Sequence, residues 1–145
     1  MSKLTIKITN YQDEIEAIKN IRTCVFQEEQ GVDPVLEFDG YDDNCVHFIA
    51  YINEEAIGTT RVRYLDKNTA KIERLAVLAS SRGQGVGTAL MKEAITFIKG
   101  QEKYQKIVIH AQVYIQILYE KLGFEPIGDR FTEADIIHIK MIKYI

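Results

Sequence analysis

Residues 79–91, Ala79-Ser80-Ser81-Arg82-Gly83-Gln84-Gly85-Val86-Gly87-Thr88-Ala89-Leu90-Met91, place three alternating glycines where a helix begins. Glycine costs about 1 kcal/mol relative to alanine inside a helix, so the cluster calls for a compensating role, and a ligand that wants bare backbone N–H groups supplies one. The surroundings agree. The apolar run AKIERLAVL (70–78) precedes the loop and reads as a strand, while Val86, Leu90, Ala94 and Ile98 follow at helical spacing, with Gly100 placed as a C-terminal cap. A helix start carries N–H groups without intrahelical partners and the positive end of the macrodipole, and together these bind phosphate.

Working outward, KLTIKIT (3–9) alternates polar and apolar residues as a first strand, and Ile15, Ile18, Ile21 and Val25 recur as a helix stripe. From Glu28 to Asn44 the periodicity fails and acids accumulate (Glu28, Glu29, Asp33, Glu37, Asp39, Asp42, Asp43), which predicts a loop with one short helical turn. CVHFIAYI (45–52), AIGTTRVRYL (56–65) and AKIERLAVL (70–78) are joined by short polar links that favour antiparallel hairpins. KIVIHA (106–111) is a strand, Ile115, Leu118, Tyr119 and Leu122 mark a helix ending at Gly123, and FEPIG with ADIIHIKMIKYI supplies closing strands. The predicted order is β-α-(loop)-β-β-β-α-β-α-β-β, an α/β fold around a mixed sheet with hairpins first and crossovers later.

At 145 residues the chain is expected to form one domain spanning 1–145. A net charge of −3, with 46% hydrophobic and 27% charged residues, gives no broad electrostatic footprint for nucleic acid. No apolar run approaches the roughly 20 residues of a membrane span, and MSKLTIKITN lacks the features of a signal peptide. A cytoplasmic location with reduced Cys24 and Cys45 is the resulting expectation. The three histidines show no metal-ligand spacing, and no metal is expected.

Three phosphate-loop patterns can be compared with residues 82–88. GxxxxGK[ST] fails because no Lys-Ser or Lys-Thr follows the glycines, and GxGxxG fails because Gly83, Gly85 and Gly87 run GxGxG. The pattern [RQ]xxGx[GA] is met by Arg82, Gly85 and Gly87. Here the sequence resembles the GNAT superfamily of acetyl-CoA-dependent N-acetyltransferases. Leu75-Ala76-Val77 looks like the family's strand ending, SRGQGVGTALM its loop and helix, and Tyr119-Glu120-Lys121-Leu122-Gly123-Phe124 the segment of its next helix. A smaller likeness, Ile21-Arg22-Thr23-Cys24-Val25-Phe26-Gln27-Glu28-Glu29-Gln30-Gly31-Val32, is similar to the small bacterial branch called YjcF-like. Two positions depart from the pattern: Ala79 replaces a usual proline, and Gln112 stands where many members carry asparagine.

The resemblance implies a central splayed sheet flanked by helices, with acetyl-CoA as cosubstrate. Backbone N–H groups of Arg82, Gly83, Gln84, Gly85, Val86, Gly87 and Thr88 would cradle the pyrophosphate. The Leu75, Ala76 and Val77 backbone would pair with pantetheine, with Gln112 beside the splayed backbone. Tyr119 matches the family's proton donor to the CoA sulfur, and a phenol of ordinary pKa about 10 is protonated at neutral pH. The Val77 N–H is the candidate oxyanion contact. For the base, strand alternation puts Glu73 on the face of Leu75 and Val77, with His138 as the second candidate; His47 and His110 read as structural. The acids of 28–43 either line the entrance for an ammonium group or are merely solvated. The acceptor is a small-molecule or peptide amine, and an exposed final strand could pair two copies into a homodimer. Two rivals stay open: a CoA-binding sensor or interaction module without turnover, and a nucleotide-phosphate-binding protein.

Overall fold

Each period-two segment is a strand, and the short polar links between them are hairpin turns. The structure, a computed structural model, describes residues 3–145. Strand β1 (Leu4–Thr9) leads into helix α1 (Ile15–Arg22), which continues without a break as a π-helical segment, Thr23–Glu29. A short helix α2 (Pro34–Glu37) follows, capped by the Asp33 carboxylate on the Val35 N–H, and then a single turn at Asp42–Asn44. Strands β2 (Val46–Ile52), β3 (Glu55–Tyr64) and β4 (Thr69–Val77) form an antiparallel meander. Helix α3 (Val86–Gly100) crosses over to β5 (Lys106–Gln112), helix α4 (Gln116–Lys121) follows, and β6 (Glu125–Glu133) and β7 (Ile136–Tyr144) close the chain as a hairpin.

The seven strands lie in the order β1-β2-β3-β4-β5-β7-β6. All neighbours are antiparallel except β4 and β5, whose parallel pairing stops after Lys71↔Val108. Past that point β4 runs to Val77 and β5 to Gln112 without pairing to each other, so the sheet opens into a V. A bulge sits on β4 just beyond that point. Arg61 opposes Glu73 and Thr59 opposes Ala76, which leaves one extra residue on β4, and Arg74 takes a left-handed φ of 57°. Bulges bend a strand and increase its twist, which carries the end of β4 away from β5.

Helix α3 packs on one face of the sheet, where Leu90, Met91, Ala94 and Ile98 meet Phe48, Val62, Ile72, Ile107 and Ile109. Its approach to β3 is close: a Cβ on Gly58 would lie 3.0 Å from Val86 Cγ1 and 3.1 Å from Leu90 Cδ1. Ile21, Val25 and Phe26 cover the other face above Ala76.

Four expectations need correction. Gly100 is the last right-handed residue of α3 and not its cap, a position taken by Gln101. The final strand β7 is flanked by β5 and β6, so the free edges belong to β1 and β6. The bulge at Arg74 breaks the alternation used to place Glu73: register puts Glu73 on the face of Arg61, Thr59 and Ala76, and Leu75 and Val77 on the opposite one. The acids of 28–43 are neither one solvated face nor one entrance. Glu37 and Asp42 are buried, and with half-buried Asp39 they bind the guanidinium groups of Arg22, Arg61 and Arg74.

Candidate active site

The V between β4 and β5 opens a cleft of about 750 Å³ that is lined from both faces of the sheet. On its β4 side, the Leu78 N–H donates to the Ile57 carbonyl at 2.9 Å. Because hydrogen-bonded and non-bonded pairs alternate along an antiparallel ladder, Ala76 spends its backbone groups on β3, whereas Leu75 and Val77 turn theirs into the gap. The Val77 carbonyl already accepts from Arg82 Nε at 3.0 Å, which leaves its N–H as the free group.

The glycine loop closes one end. Gly83 and Gly85 have φ of 78° and 80°, and no atom lies within 4 Å of a Cβ built on either. These two glycines are therefore required by backbone conformation. Gly87 differs: it is helical, and its missing side chain would have come to 4.0 Å from Leu75, Val77 and Leu118. It keeps the cleft open where β4, α3 and α4 converge. Gly85 is the N-cap of α3 and no side chain caps that helix start, so its first N–H groups remain available to an anion. Arg82 lines the cleft through its Nε on the Val77 carbonyl, and its terminal nitrogens make a two-pronged ion pair with Glu29 at the end of the π-helical segment.

Tyr119 lies in the same apolar cluster as α3, Ile139 and Met141, edge-on to Phe124 with ring centroids 6.4 Å apart. It also lines the cleft, and burial pushes its phenol well above the usual range, so it stays protonated at neutral pH. His138, one residue before Ile139, faces the other side of the sheet. It stands opposite Gln112 at the mouth of the V, and its Nδ1 lies 2.7 Å from the Ile136 carbonyl. A carbonyl only accepts, so Nδ1 carries a proton, and in the neutral ring the lone pair is on Nε2.

Glu73 is held differently. Its carboxylate accepts from Arg61 and Arg63 and pairs with Lys71 at 3.1 Å. Burial alone would raise its pKa, but Arg61 and Lys71 outweigh it and hold the group at about 2. A carboxylate so stabilised has little tendency to take a proton and serves as an anchor for cations. The Gln112 amide donates to Gln30 Oε1 at 3.1 Å, tying β5 to the segment after the π-helix instead of facing β4 backbone.

Sequence reading missed three lining residues, Lys71, His110 and Glu133. Glu133 Oε1 is 3.2 Å from His110 Nδ1, and Oε2 is 3.7 Å from His138 Nε2. His110 thus belongs to the cleft and is not only a structural residue. His47, by contrast, is buried, with Nε2 2.9 Å from the Asp42 carbonyl. The one available signal was alternation: with β5 paired to β7, His110 and Gln112 share a face with His138. The β6–β7 turn that delivers Glu133 has Ala134 and Asp135 at φ of 50° and 62°, in a dipeptide without the glycine that usually announces such a turn.

Comparison with known proteins agrees with this architecture. The family model described as an acetyltransferase (GNAT) domain matches residues 26–145. The uncharacterized protein YyaT of Bacillus subtilis is 36% identical over 144 residues, covering 96% of this chain and 94% of YyaT. YjcF of the same organism, named as an uncharacterized N-acetyltransferase, is 29% identical over 137 residues, or 94% of this chain and 96% of its own. The crystal structure of a GNAT family acetyltransferase from Elizabethkingia anophelis with acetyl-CoA bound superposes with a TM-score of 0.76. It is 22% identical and covers 98% of each chain. The protein belongs to the GNAT acetyltransferase family and is a GNAT-type N-acetyltransferase.

Proposed function

We propose that residues 1–145 act as one domain that moves acetyl from acetyl-CoA directly to a small-molecule or peptide amine, with no covalent enzyme intermediate. The observation that carries this reading is the parting of β4 and β5 after Lys71 and Val108. It sets the free edge of Leu75 and Val77, the uncapped start of α3 and the Tyr119 phenol around one opening. The cleft suits the cosubstrate: the Arg82–Thr88 backbone offers donors for a pyrophosphate, and Gly87 leaves the room that a side chain would fill. Acetyl-CoA supplies an activated thioester. The Val77 N–H supports the developing oxyanion, and Tyr119 donates a proton to the departing sulfur.

For the base, His138 ranks ahead of Glu73. Its Nε2 keeps a lone pair at the cleft, whereas the Glu73 carboxylate is neutralised by three cations. Two unbridged cysteines and an acetyl-CoA-dependent reaction are consistent with work in the cytoplasm. The test is a broad amine panel with released CoA as readout, followed by kcat/KM against pH. At least one amine should release CoA, His138→Asn should remove the acidic limb of the profile, and Glu73→Gln should leave that limb in place. CoA binding without release on any amine would favour a binding module, and a limb lost only in Glu73→Gln would reinstate Glu73 as the base.

A further inference from the structure

We infer that Glu133 is a positioning residue that couples the His138 and His110 imidazoles into one proton-accepting unit on the acceptor face of the cleft. The inference deepens the reading of His138 as base and rests on it. Three strands contribute. Phe131↔His138 pairing brings β6 alongside β7, His138↔Gln112 pairing brings β7 alongside β5, and the Ala134-Asp135 turn returns Glu133 over both imidazoles. Phe131 stacks on the His138 ring at 5.8 Å between centroids and meets the His110 ring edge-on at 5.1 Å, which limits the orientations open to both.

The charges around this cluster point the same way. From β4, Lys71 lies 3.4 Å from His110 Nδ1, but its ammonium is paired with Glu73 at 3.1 Å. Glu73 is further engaged by Arg61 and Arg63, so it offers little to the imidazoles. From β7, Lys140 stands opposite His110. Among the described residues on this face, that leaves Glu133 as the carboxylate free to answer a new positive charge. His110 Nδ1 donates to Glu133 at 3.2 Å, since an ionised carboxylate can only accept. The His110 bond also draws the Glu133 carboxyl below its usual range, so it remains ionised at neutral pH.

When the acceptor ammonium gives up a proton, its N–H bond breaks and an Nε2–H bond forms on His138. The imidazolium then lies 3.7 Å from Glu133 Oε2, a distance for Coulomb attraction and not for a hydrogen bond. Glu133 itself neither gains nor loses a proton. Lys71, 3.4 Å from His110 Nδ1, places a cation on the His110 side, whereas the His138 Nε2 faces the Glu133 carboxylate.

Histidine NMR titration of the free protein tests this without any acceptor. Resonances would be assigned with His138→Asn and His110→Asn. In Glu133→Gln both imidazoles should titrate about 0.5 unit lower than in the wild type, because the imidazolium loses its counter-charge. With an active amine in hand, the acidic limb of kcat/KM should move to lower pH by the same amount, and Glu133→Asp should restore it in part. Titrations unmoved by Glu133→Gln overturn the inference. A shifted titration beside a limb that neither Glu133→Gln nor His138→Asn moves overturns the base assignment instead.

Discussion

The two walls of the cleft are made of different material. The wall proposed for the cofactor is backbone: two left-handed glycines, a helix without a side-chain cap, and a strand edge turned away from its ladder. Its groups all fall between Leu75 and Thr88. The wall proposed for the acceptor is side chain: Arg63, Lys71 and Arg74 interleaved with Glu37, Asp39 and Glu73, backed by the buried Arg22, Arg61 and Asp42 and drawn from α1, β3, β4 and the α2 region. The difference separates what each wall can tolerate. A backbone cradle depends on conformation and empty space, so substitutions there act on ligand affinity. A buried ion network depends on mutual compensation, so substitutions there act first on the fold.

The largest effect is expected where the walls meet. Tyr119→Phe should lower kcat by about 10²–10⁴-fold with CoA affinity nearly unchanged, since the ring keeps its packing and only the donor is lost. Steady-state kinetics beside calorimetric CoA titration measures both, and an unchanged kcat would assign the thiolate's proton to water. Next comes the acceptor wall. Arg61 is fully buried and binds Asp39, Asp42 and Glu73 together, so Arg61→Ala leaves three carboxylates short of a partner. A loss of about 3–5 kcal/mol in urea unfolding is expected, a large share of the total stability of a small domain. The same wall should loosen in acid. Glu73 is held at about 2 against an ordinary 4.5, so its contribution is complete above about pH 4.5 and is lost as pH falls toward 2. A wild-type unfolding free energy flat across that window would remove the charged network from the stability account.

The smallest and sharpest test divides the glycines. Gly87→Val places a side chain into the cleft from a helical backbone, where the added Cβ itself meets nothing closer than 4.0 Å. Its unfolding free energy should stay within about 0.5 kcal/mol of wild type, while CoA affinity falls roughly tenfold, or about 1.4 kcal/mol. Gly85→Val, at φ of 80°, should instead lose about 1–3 kcal/mol of stability to backbone strain. If both variants lose stability alike, the separation of conformational from spatial glycines is wrong.

Much of the cofactor wall could be read in advance because its signals are local. Glycine spacing before an apolar stripe locates a helix start, and two-residue alternation locates the meander. The order of elements followed from these alone. The face of Glu73 could not be read, because one left-handed residue, Arg74, reverses the alternation and nothing in KIERLAV announces it. Nor was the α2 region legible. Its acids are separated from their arginine partners by 15 to 37 positions, and a run of acids looks the same whether solvated or buried until those partners arrive. His110 and Glu133 were hidden for a related reason, since they meet across β7, which neither belongs to.

Sequence by itself determined the element order, the glycine-led helix start at residues 82–88, the family likeness and the presence of Tyr119 in the α4 segment, because each depends on short-range periodicity or on backbone conformation that only glycine adopts freely. Tertiary structure alone decided which strand edges stay free, which face Glu73 takes, and which carboxylate stands between the two imidazoles. Those outcomes depend on register, a single bulge and the compensation of buried charge, and such terms have no value until distant segments are brought into contact.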